Sequence, residues 1–254
     1  MTDERSDPVV ALGAQQAVLS ALLAGLDDDG WHRPSRCHGW DVADVVLHLA
    51  QTNEMAIGSL ADQFDEVLVE LTAGLDPTDS IDDGAGLMVA RDRADAPQIA
   101  HARYLASVED LTTTISGVDL DARVTWVAGE LAARTLVTTR LAETWIHTGD
   151  VAAGLDIELE PSDRLFHIAR LAWRTLPHAF AREARVLAGP VTLELDTPSG
   201  ATWLFGDEPP TTTVTGSALD LCLVASRRVD PAGTSLVATG PDAQHVLRLV
   251  RTWA

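Results

Sequence analysis

The segment RLAETWIHTGDVA, residues 140–152, places an acid and a base one helical turn apart. Its pattern predicts a helix, and positions three, four and seven apart share one helix face. Arg140, Glu143, His147 and Asp150 therefore form a polar stripe, and apolar residues flank this stripe on both sides. A buried carboxylate or imidazole must be hydrogen-bonded, paired with a charge or bound to a metal. The stripe thus predicts either a buried ion pair or part of a metal site.

A third candidate ligand comes from a second predicted helix, DVADVVLHLAQ, residues 41–51. His48 lies beside the apolar face of this helix, so it is placed to approach Glu143 and His147 across a helix bundle. Three protein ligands with an open fourth position are typical of catalytic zinc. A carboxylate and two imidazoles also suit iron(II), nickel or manganese. Spacing alone still favours a simpler alternative, a local salt bridge between Glu143 and His147.

The part of the chain that must position these residues is predicted to be helical. Four segments carry helical periodicity, the second with a possible interruption near Gly58: 7–26, 41–74, 97–115 and 130–153. Asp41 and Asp44 predict a capping box at the start of the second helix. A stretch rich in Asp, Gly and Pro, residues 75–86, predicts an exposed loop. Four helices with short links predict a four-helix bundle.

The pattern changes after residue 157, where strand signals appear between helices. The predicted elements are a helix at 162–183, a hairpin at 191–206, a strand at 211–216, a helix at 217–228, a strand at 234–240 and a helix at 241–254. We therefore predict an α+β protein with two domains. Residues 1–157 form the helical bundle, and residues 158–254 form a smaller α+β domain.

Composition excludes several classes of function. The formal net charge of -20 repels phosphate backbones and anionic lipid headgroups, so neither nucleic acid nor a membrane is expected as a partner. The chain has no lysine, which excludes Schiff-base chemistry on lysine and a lysine-containing phosphate loop. Two distant cysteines, Cys37 and Cys222, are typical of a reducing compartment. No signal-peptide core or membrane-length apolar run is present, so a cytoplasmic location is expected.

Two segments carry a resemblance to a known family. The segment HGWDVADVVLHLAQTNEMA, residues 38–56, resembles the Gly-Trp-x-Val-x-Asp-x-x-x-His-Leu signature of the DinB-like mycothiol-dependent maleylpyruvate isomerase family. The segment ARTLVTTRLAETWIHTGDVAAGL, residues 133–155, resembles its Glu-x-Trp-x-His-x-x-Asp-Val helix. The resemblance implies a metal-binding four-helix bundle followed by a sterol-carrier-like α+β domain. It places the metal ligands at His48, Glu143 and His147.

The same resemblance implies a mechanism. A divalent metal, expected to be zinc with nickel or iron(II) as alternatives, binds the thiolate of mycothiol, and the thiolate attacks an electrophilic carbon. Asp150 matches the acid that follows the ligands, and we expect it to support them by hydrogen bonding. The segment VTGSALDLCLVASRRVD, residues 214–230, resembles a family helix that ends in a catalytic arginine. Arg227 and Arg228 both stand there, and solvated arginines at a helix end are the alternative.

Three hypotheses about function follow. The first is a metal-dependent enzyme, a thiol transferase or thiol-assisted isomerase, whose partners are a small-molecule substrate and a thiol. The second is a protein that binds a metal or small molecule without turnover, and the third is an interaction module with a structural metal. A nucleophile–base pair of Cys37 with His38 is disfavoured, because adjacent side chains rarely meet. Nothing in the sequence selects an oligomeric state.

Overall fold

The computed structural model describes residues 7–93, 96–127, 129–206 and 209–252 of the chain. These residues divide into two compact units. One unit spans residues 12–159, and the other is built from residues 160–254 together with the start of the first helix. The first unit is helical and the second contains a mixed sheet with helices, so the predicted α+β class is confirmed. Independent folding of two domains with a boundary at residue 157 stays a prediction.

Helices dominate the first part of the chain. They are α1 (Pro8–Leu23), α2 (Asp28–Trp31), α3 (Val42–Leu60), α4 (Phe64–Leu71), α5 (Ile81–Asp92), α6 (Pro97–Ser116) and α7 (Ala133–Gly154). A short antiparallel pair, β1 (Arg123–Val124) and β2 (Leu131–Ala132), precedes α7. The four long helices α1, α3, α6 and α7 share one apolar core, to which they contribute Leu19, Leu49, Tyr104 and Val151. Helix α3 packs against both α6 and α7, and this packing positions the candidate ligands.

The start of α3 is fixed by a capping box, as the sequence predicts. The Asp41 carboxylate accepts a hydrogen bond from the Asp44 amide at 2.9 Å, and the Asp44 carboxylate accepts one from the Asp41 amide at 3.1 Å. Arg93 then donates to both carboxylate oxygens of Asp44, at 2.9 and 2.8 Å. Because the first turn is held in this way, the second turn of α3 presents His48 from a fixed position.

Two predicted features of this unit differ in detail from the structure. The predicted helix 41–74, for which an interruption near Gly58 was expected, is divided into α3 and α4 at residues 61–63, where Asp62 adopts a left-handed conformation with φ of 59°. Helix α4 folds back so closely that a Cβ atom on Gly58 would lie 2.7 Å from Cγ2 of Val67. The predicted loop 75–86 instead contains the start of α5, where the Ser80 hydroxyl caps the helix by accepting from the Asp83 amide at 3.0 Å.

The second unit combines a four-stranded sheet with short helices. Its elements are α8 (Leu165–Arg174), α9 (Leu176–Arg182), β3 (Val191–Asp196), β4 (Thr202–Phe205), β5 (Thr212–Ser217), α10 (Ala218–Ala225), β6 (Val237–Thr239) and α11 (Ala243–Leu249). The strand order is β4-β3-β5-β6, with β3 and β5 parallel and the other pairs antiparallel.

The predicted helix 162–183 is divided at Thr175, just before Pro177. The predicted last helix extends to residues 253 and 254, which lie outside the described residues. Among the residues that the structure describes, no helix is long and apolar enough to cross a lipid bilayer.

Candidate metal centre

The structure brings His48, Glu143 and His147 together in the interior of the helical unit. His48 projects from α3, whereas Glu143 and His147 lie one turn apart on α7. Oε2 of Glu143 lies 3.4 Å from Nε2 of His48 and 3.6 Å from Nε2 of His147. One potential ligand atom from each residue lies within 4.8 Å of the others. The sequence prediction that the three side chains act as metal ligands stays a proposal, which this proximity supports.

The separations of these atoms also fit a bound metal. Hydrogen bonds between nitrogen and oxygen usually measure about 2.7–3.2 Å, so both contacts of Oε2 of Glu143 are long for hydrogen bonds. Tetrahedral zinc with bonds of about 2.0–2.1 Å places its ligand atoms about 3.3–3.4 Å apart. The observed 3.4 and 3.6 Å are close to that spacing. The donor set of one carboxylate and two imidazoles therefore fits zinc and similar divalent cations.

Asp150 contacts one of these candidate ligands, His147, through Nδ1 rather than Nε2. Its carboxylate is fully buried, and Oδ2 lies 3.0 Å from Nδ1 of His147. When Nδ1–H donates to this carboxylate, the lone pair of Nε2 points towards Glu143 and His48. A carboxylate that supports a histidine in this manner is common around metal sites. The supporting role predicted for Asp150 therefore agrees with its position, one turn beyond His147 on α7.

Cys37 belongs to the same cluster. This position was not predicted, since the sequence suggests only His38 as a partner for Cys37. Its Sγ donates to Oδ2 of Asp150 at 3.2 Å and lies 3.7 Å from Nδ1 of His147. The Arg36 amide also donates to the backbone carbonyl of Asp150, at 3.2 Å. The loop before α3 thus holds both the side chain and the main chain of Asp150. Cys37 and Asp150 are 113 residues apart, so no local spacing could have revealed the contact.

Ring packing and one long contact, 3.4 Å from Nε2 to Oε2 of Glu143, set the orientation of His48. Its Nδ1 is buried and has no hydrogen-bond partner within the described part of the chain. The Trp40 ring packs beside the imidazole, with 5.1 Å between the ring centroids. The imidazole of His147 lies edge-on to that of His48 at 4.9 Å. Trp40, a residue of the first family signature, therefore supports the candidate ligand His48 through ring contact.

Electrostatics divide the cluster into one charged pair and one neutral histidine. Burial lowers the pKa of His48 from its ordinary value. Burial alone would raise the pKa of Glu143, but hydrogen bonds with His147 and His48 outweigh it and hold that pKa well below the usual range. Burial alone would lower the pKa of His147, yet Asp150, Cys37 and Glu143 raise it well above its ordinary value. In the metal-free protein, Glu143 and His147 therefore form an ion pair.

Metal affinity should consequently fall on acidification at a higher pH than for an ordinary histidine. The raised pKa of His147 means that a proton competes with the metal below that raised value, whereas His48 competes only at lower pH. Titration of the apoprotein with cobalt(II) at a series of pH values measures this. When the metal binds at a pH just below the raised pKa of His147, we expect about one proton to be released per metal ion. An affinity that stays constant down to the ordinary pKa of 6.5 would contradict the prediction.

The two predicted catalytic arginines lie at the end of α10, in the second unit. Arg227 is exposed and adopts a left-handed backbone conformation with φ of 61°. Partial desolvation, Arg251 and Arg248 lower the pKa of Arg227. Arg228 is half-buried and donates from Nη1 to the Ser226 carbonyl at 2.9 Å. The catalytic role of either arginine stays a prediction.

Comparison with known proteins agrees with the fold and with the motifs. The model of the family described as the mycothiol maleylpyruvate isomerase N-terminal domain matches residues 12–152. Two uncharacterized proteins of Mycobacterium tuberculosis, from strains CDC 1551 / Oshkosh and ATCC 25618 / H37Rv, are each 31% identical over 249 residues. Each of these alignments covers 97% of this chain and 95% of the relative.

Two solved structures share the fold over nearly the whole chain. The crystal structure of the mycothiol-dependent maleylpyruvate isomerase matches with a TM-score of 0.61 and 18% identity, over 94% of this chain and 96% of that chain. A mutant of that isomerase matches with the same TM-score and identity, over 93% of this chain and 95% of the mutant's chain. These likenesses show the fold, and the family match over residues 12–152 shows that the chain belongs to the mycothiol maleylpyruvate isomerase N-terminal domain family.

Proposed function

We propose that the chain is a metal-dependent enzyme that uses a low-molecular-weight thiol, mycothiol, as its nucleophile. It would act as a thiol transferase or thiol-assisted isomerase on a small electrophilic substrate in the cytoplasm. The observation that carries the proposal is the three-residue cluster of His48, Glu143 and His147, whose oxygen–nitrogen separations are close to a tetrahedral edge. A second group of potential ligand atoms in the described ranges, Cys37, His147 and Asp150, shares His147 with this cluster. Three protein ligands at the first group would leave the open fourth position that catalytic zinc uses.

The chemistry is divided between the cation and the chain. A bound divalent cation would favour the thiolate form of the thiol and hold it in place. The chain contributes the orientation of its ligands: Asp150 holds His147 in the required tautomer, and Trp40 packs against His48. Glu143 supplies the anionic ligand and is held in its ionised form, since hydrogen bonds with His147 and His48 outweigh the effect of burial on its pKa.

The thiol is proposed from the family and the substrate is left as a chemical class. Family members are named for mycothiol and maleylpyruvate, but the related solved structures are only 18% identical. The net charge of -20 gives no long-range attraction for a dicarboxylate. This feature favours an electrophile other than maleylpyruvate.

Metal content and thiol conjugation together test this function. Protein purified without chelator should contain about one divalent metal per chain. Metal-loaded protein, mycothiol and a panel of electrophiles should yield thiol adducts or isomerised products by mass spectrometry. The same mixtures with metal-free protein are the control. Protein that cannot be loaded with zinc, nickel or iron(II) would overturn the proposal. Stable metal binding without turnover of any electrophile would favour the alternative, a non-enzymatic metal-binding or small-molecule-binding protein.

A further inference from the structure

Arg140, the first member of the polar stripe on α7, carries a buried charge that Glu143 attracts, but it makes no direct ion pair within the described part of the chain. Its side chain is among the largest that are fully buried, and the residue is 1% exposed. Nε and Nη2 donate to Oδ1 of Asn53, both at 3.2 Å, and Nη2 also donates to Oγ1 of Thr52 at 2.9 Å. Among the described residues, no carboxylate lies within ion-pair distance of Arg140. Burying a cation in this way is costly, so the position calls for a function.

The hydrogen bonds of Arg140 place its guanidinium beside the candidate metal centre. Thr52, which accepts from Arg140, lies one turn after His48, and its hydroxyl donates to the His48 carbonyl at 2.9 Å. On the other helix, Arg140 lies one turn before Glu143. Arg140 is therefore one helical turn along α7 from Glu143, and its acceptor Thr52 is one turn along α3 from His48. The positive charge of Arg140 contributes to lowering the pKa of His48, although burial is the larger cause.

We propose that Arg140 sets the charge of the centre so that its fourth ligand is an anion, such as a thiolate. The inference rests on the metal centre proposed above. A divalent cation and Arg140 carry three positive charges, and the carboxylates of Glu143 and Asp150 carry two negative ones. The loaded centre thus has a net charge of about +1, which one thiolate neutralises. Without Arg140 the centre would be neutral and would discriminate less between an anion and a neutral ligand.

Removal of Arg140 should affect metal binding and anion binding differently. This difference distinguishes an electrostatic role of Arg140 from a structural one. Arg140 repels the metal cation, so Arg140→Met should leave metal affinity unchanged or make it tighter. The same guanidinium attracts an anionic fourth ligand, so the substitution should weaken anion binding by about tenfold, as expected for a unit charge about one turn away. A residue that only braces α7 against α3 would weaken both kinds of binding when it is removed.

The experiment uses cobalt(II) as the metal and two small probes as the fourth ligand. Apoprotein is titrated with cobalt(II), and the loaded protein is then titrated with thiocyanate, an anion, or with imidazole, a neutral ligand, while the cobalt absorption bands are followed. We expect Arg140→Met to weaken thiocyanate binding about tenfold and imidazole binding by less than about twofold. Arg140→Lys should restore thiocyanate binding. Arg134→Met, the same substitution at an exposed arginine of α7, is the matched control and should change neither titration.

The other outcomes of these titrations also decide whether Arg140 has this electrostatic role. Equal losses of thiocyanate and imidazole affinity, or a loss of cobalt affinity in Arg140→Met, would assign Arg140 to folding alone. If Arg140→Met does not fold, Arg140→Gln provides a second neutral variant that retains a donor for Asn53. Wild-type protein that binds cobalt and imidazole but not thiocyanate would overturn the inference without any variant. Wild-type protein that binds no cobalt would overturn the metal centre itself.

Discussion

Replacing His48 by alanine is expected to remove tight metal binding, although His48 lies 95 residues from Glu143 in the sequence. Structural zinc sites contribute about 10–16 kcal/mol through four ligands. Loss of one ligand should therefore cost about 3 kcal/mol, or more than a hundredfold in affinity. Glu143→Ala and His147→Ala should have effects of similar size, and none of the three variants should retain activity. Competition with a chromophoric chelator at neutral pH measures all three affinities.

Matched variants separate the shared metal from a simple ion pair. His38→Ala removes an exposed histidine from the loop before α3 and should have no effect on metal affinity. Asp150→Asn should reduce affinity by about 10–100-fold, because the amide supports His147 less well. His48→Ala combined with His147→Ala should cost much less than the sum of the single losses, since one substitution already disables the site. If His48→Ala bound metal as tightly as the wild type, the three-residue centre would be refuted. The ion pair of Glu143 with His147 does not involve His48, so it would still be present in that variant.

Replacing Gly154 by alanine should destabilise the helical unit, whereas the same change at Gly149 should not. A Cβ atom on Gly154 would lie 2.5 Å from the Pro34 carbonyl oxygen and 3.1 Å from Cα of Ser35, and both neighbours are backbone. The loop cannot yield without losing its contacts with Asp150, so we expect a cost of about 1–3 kcal/mol. A Cβ atom on Gly149 would meet nothing within 4 Å. Alanine there should stabilise α7 by up to about 1 kcal/mol.

Thermal unfolding of the two variants measures this difference. For a protein of this size, 1 kcal/mol moves the thermal midpoint by about 2–4 °C. Gly154→Ala should lower the midpoint by several degrees and should also weaken metal binding, because the loop that carries Cys37 is displaced. Gly149→Ala serves as the control on the same helix. Equal midpoints in the two variants would mean that the loop moves away from α7 at no cost.

Helical periodicity was sufficient to predict the faces that meet in the helical unit. His48, Glu143 and His147 were placed on inward faces by their apolar flanks, and the structure brings them together. The capping box of Asp41 and Asp44 was also predictable, because its partners are only three residues apart. Such features depend on local spacing, which a sequence displays directly. The metal itself and the roles of Arg227 and Arg228 stay predictions.

Features that depend on loop packing, on a helix cap or on the conformation of one residue were not predicted. Cys37 meets Asp150 only because the loop before α3 packs against α7, and no spacing in the sequence encodes that contact. Helix α5 was missed because Asp and Gly in residues 75–86 are typical of loops, whereas the Ser80 cap and burial of Met88 and Val89 favour a helix. The end of α3 at Leu60 depends on one residue, Asp62, with a positive φ angle.

The separation of the candidate ligands along the chain also governs how a metal acts on folding. Glu143 and His147 lie within a single turn, so even an unfolded chain can bring these two together briefly. His48 joins them only when α3 and α7 are packed. A cation stabilises the native state by mass action only to the extent that it binds the native state better than the unfolded one. If these residues bind a metal, the linkage between metal concentration and resistance to heat would therefore reside chiefly in His48, the distant member of the set.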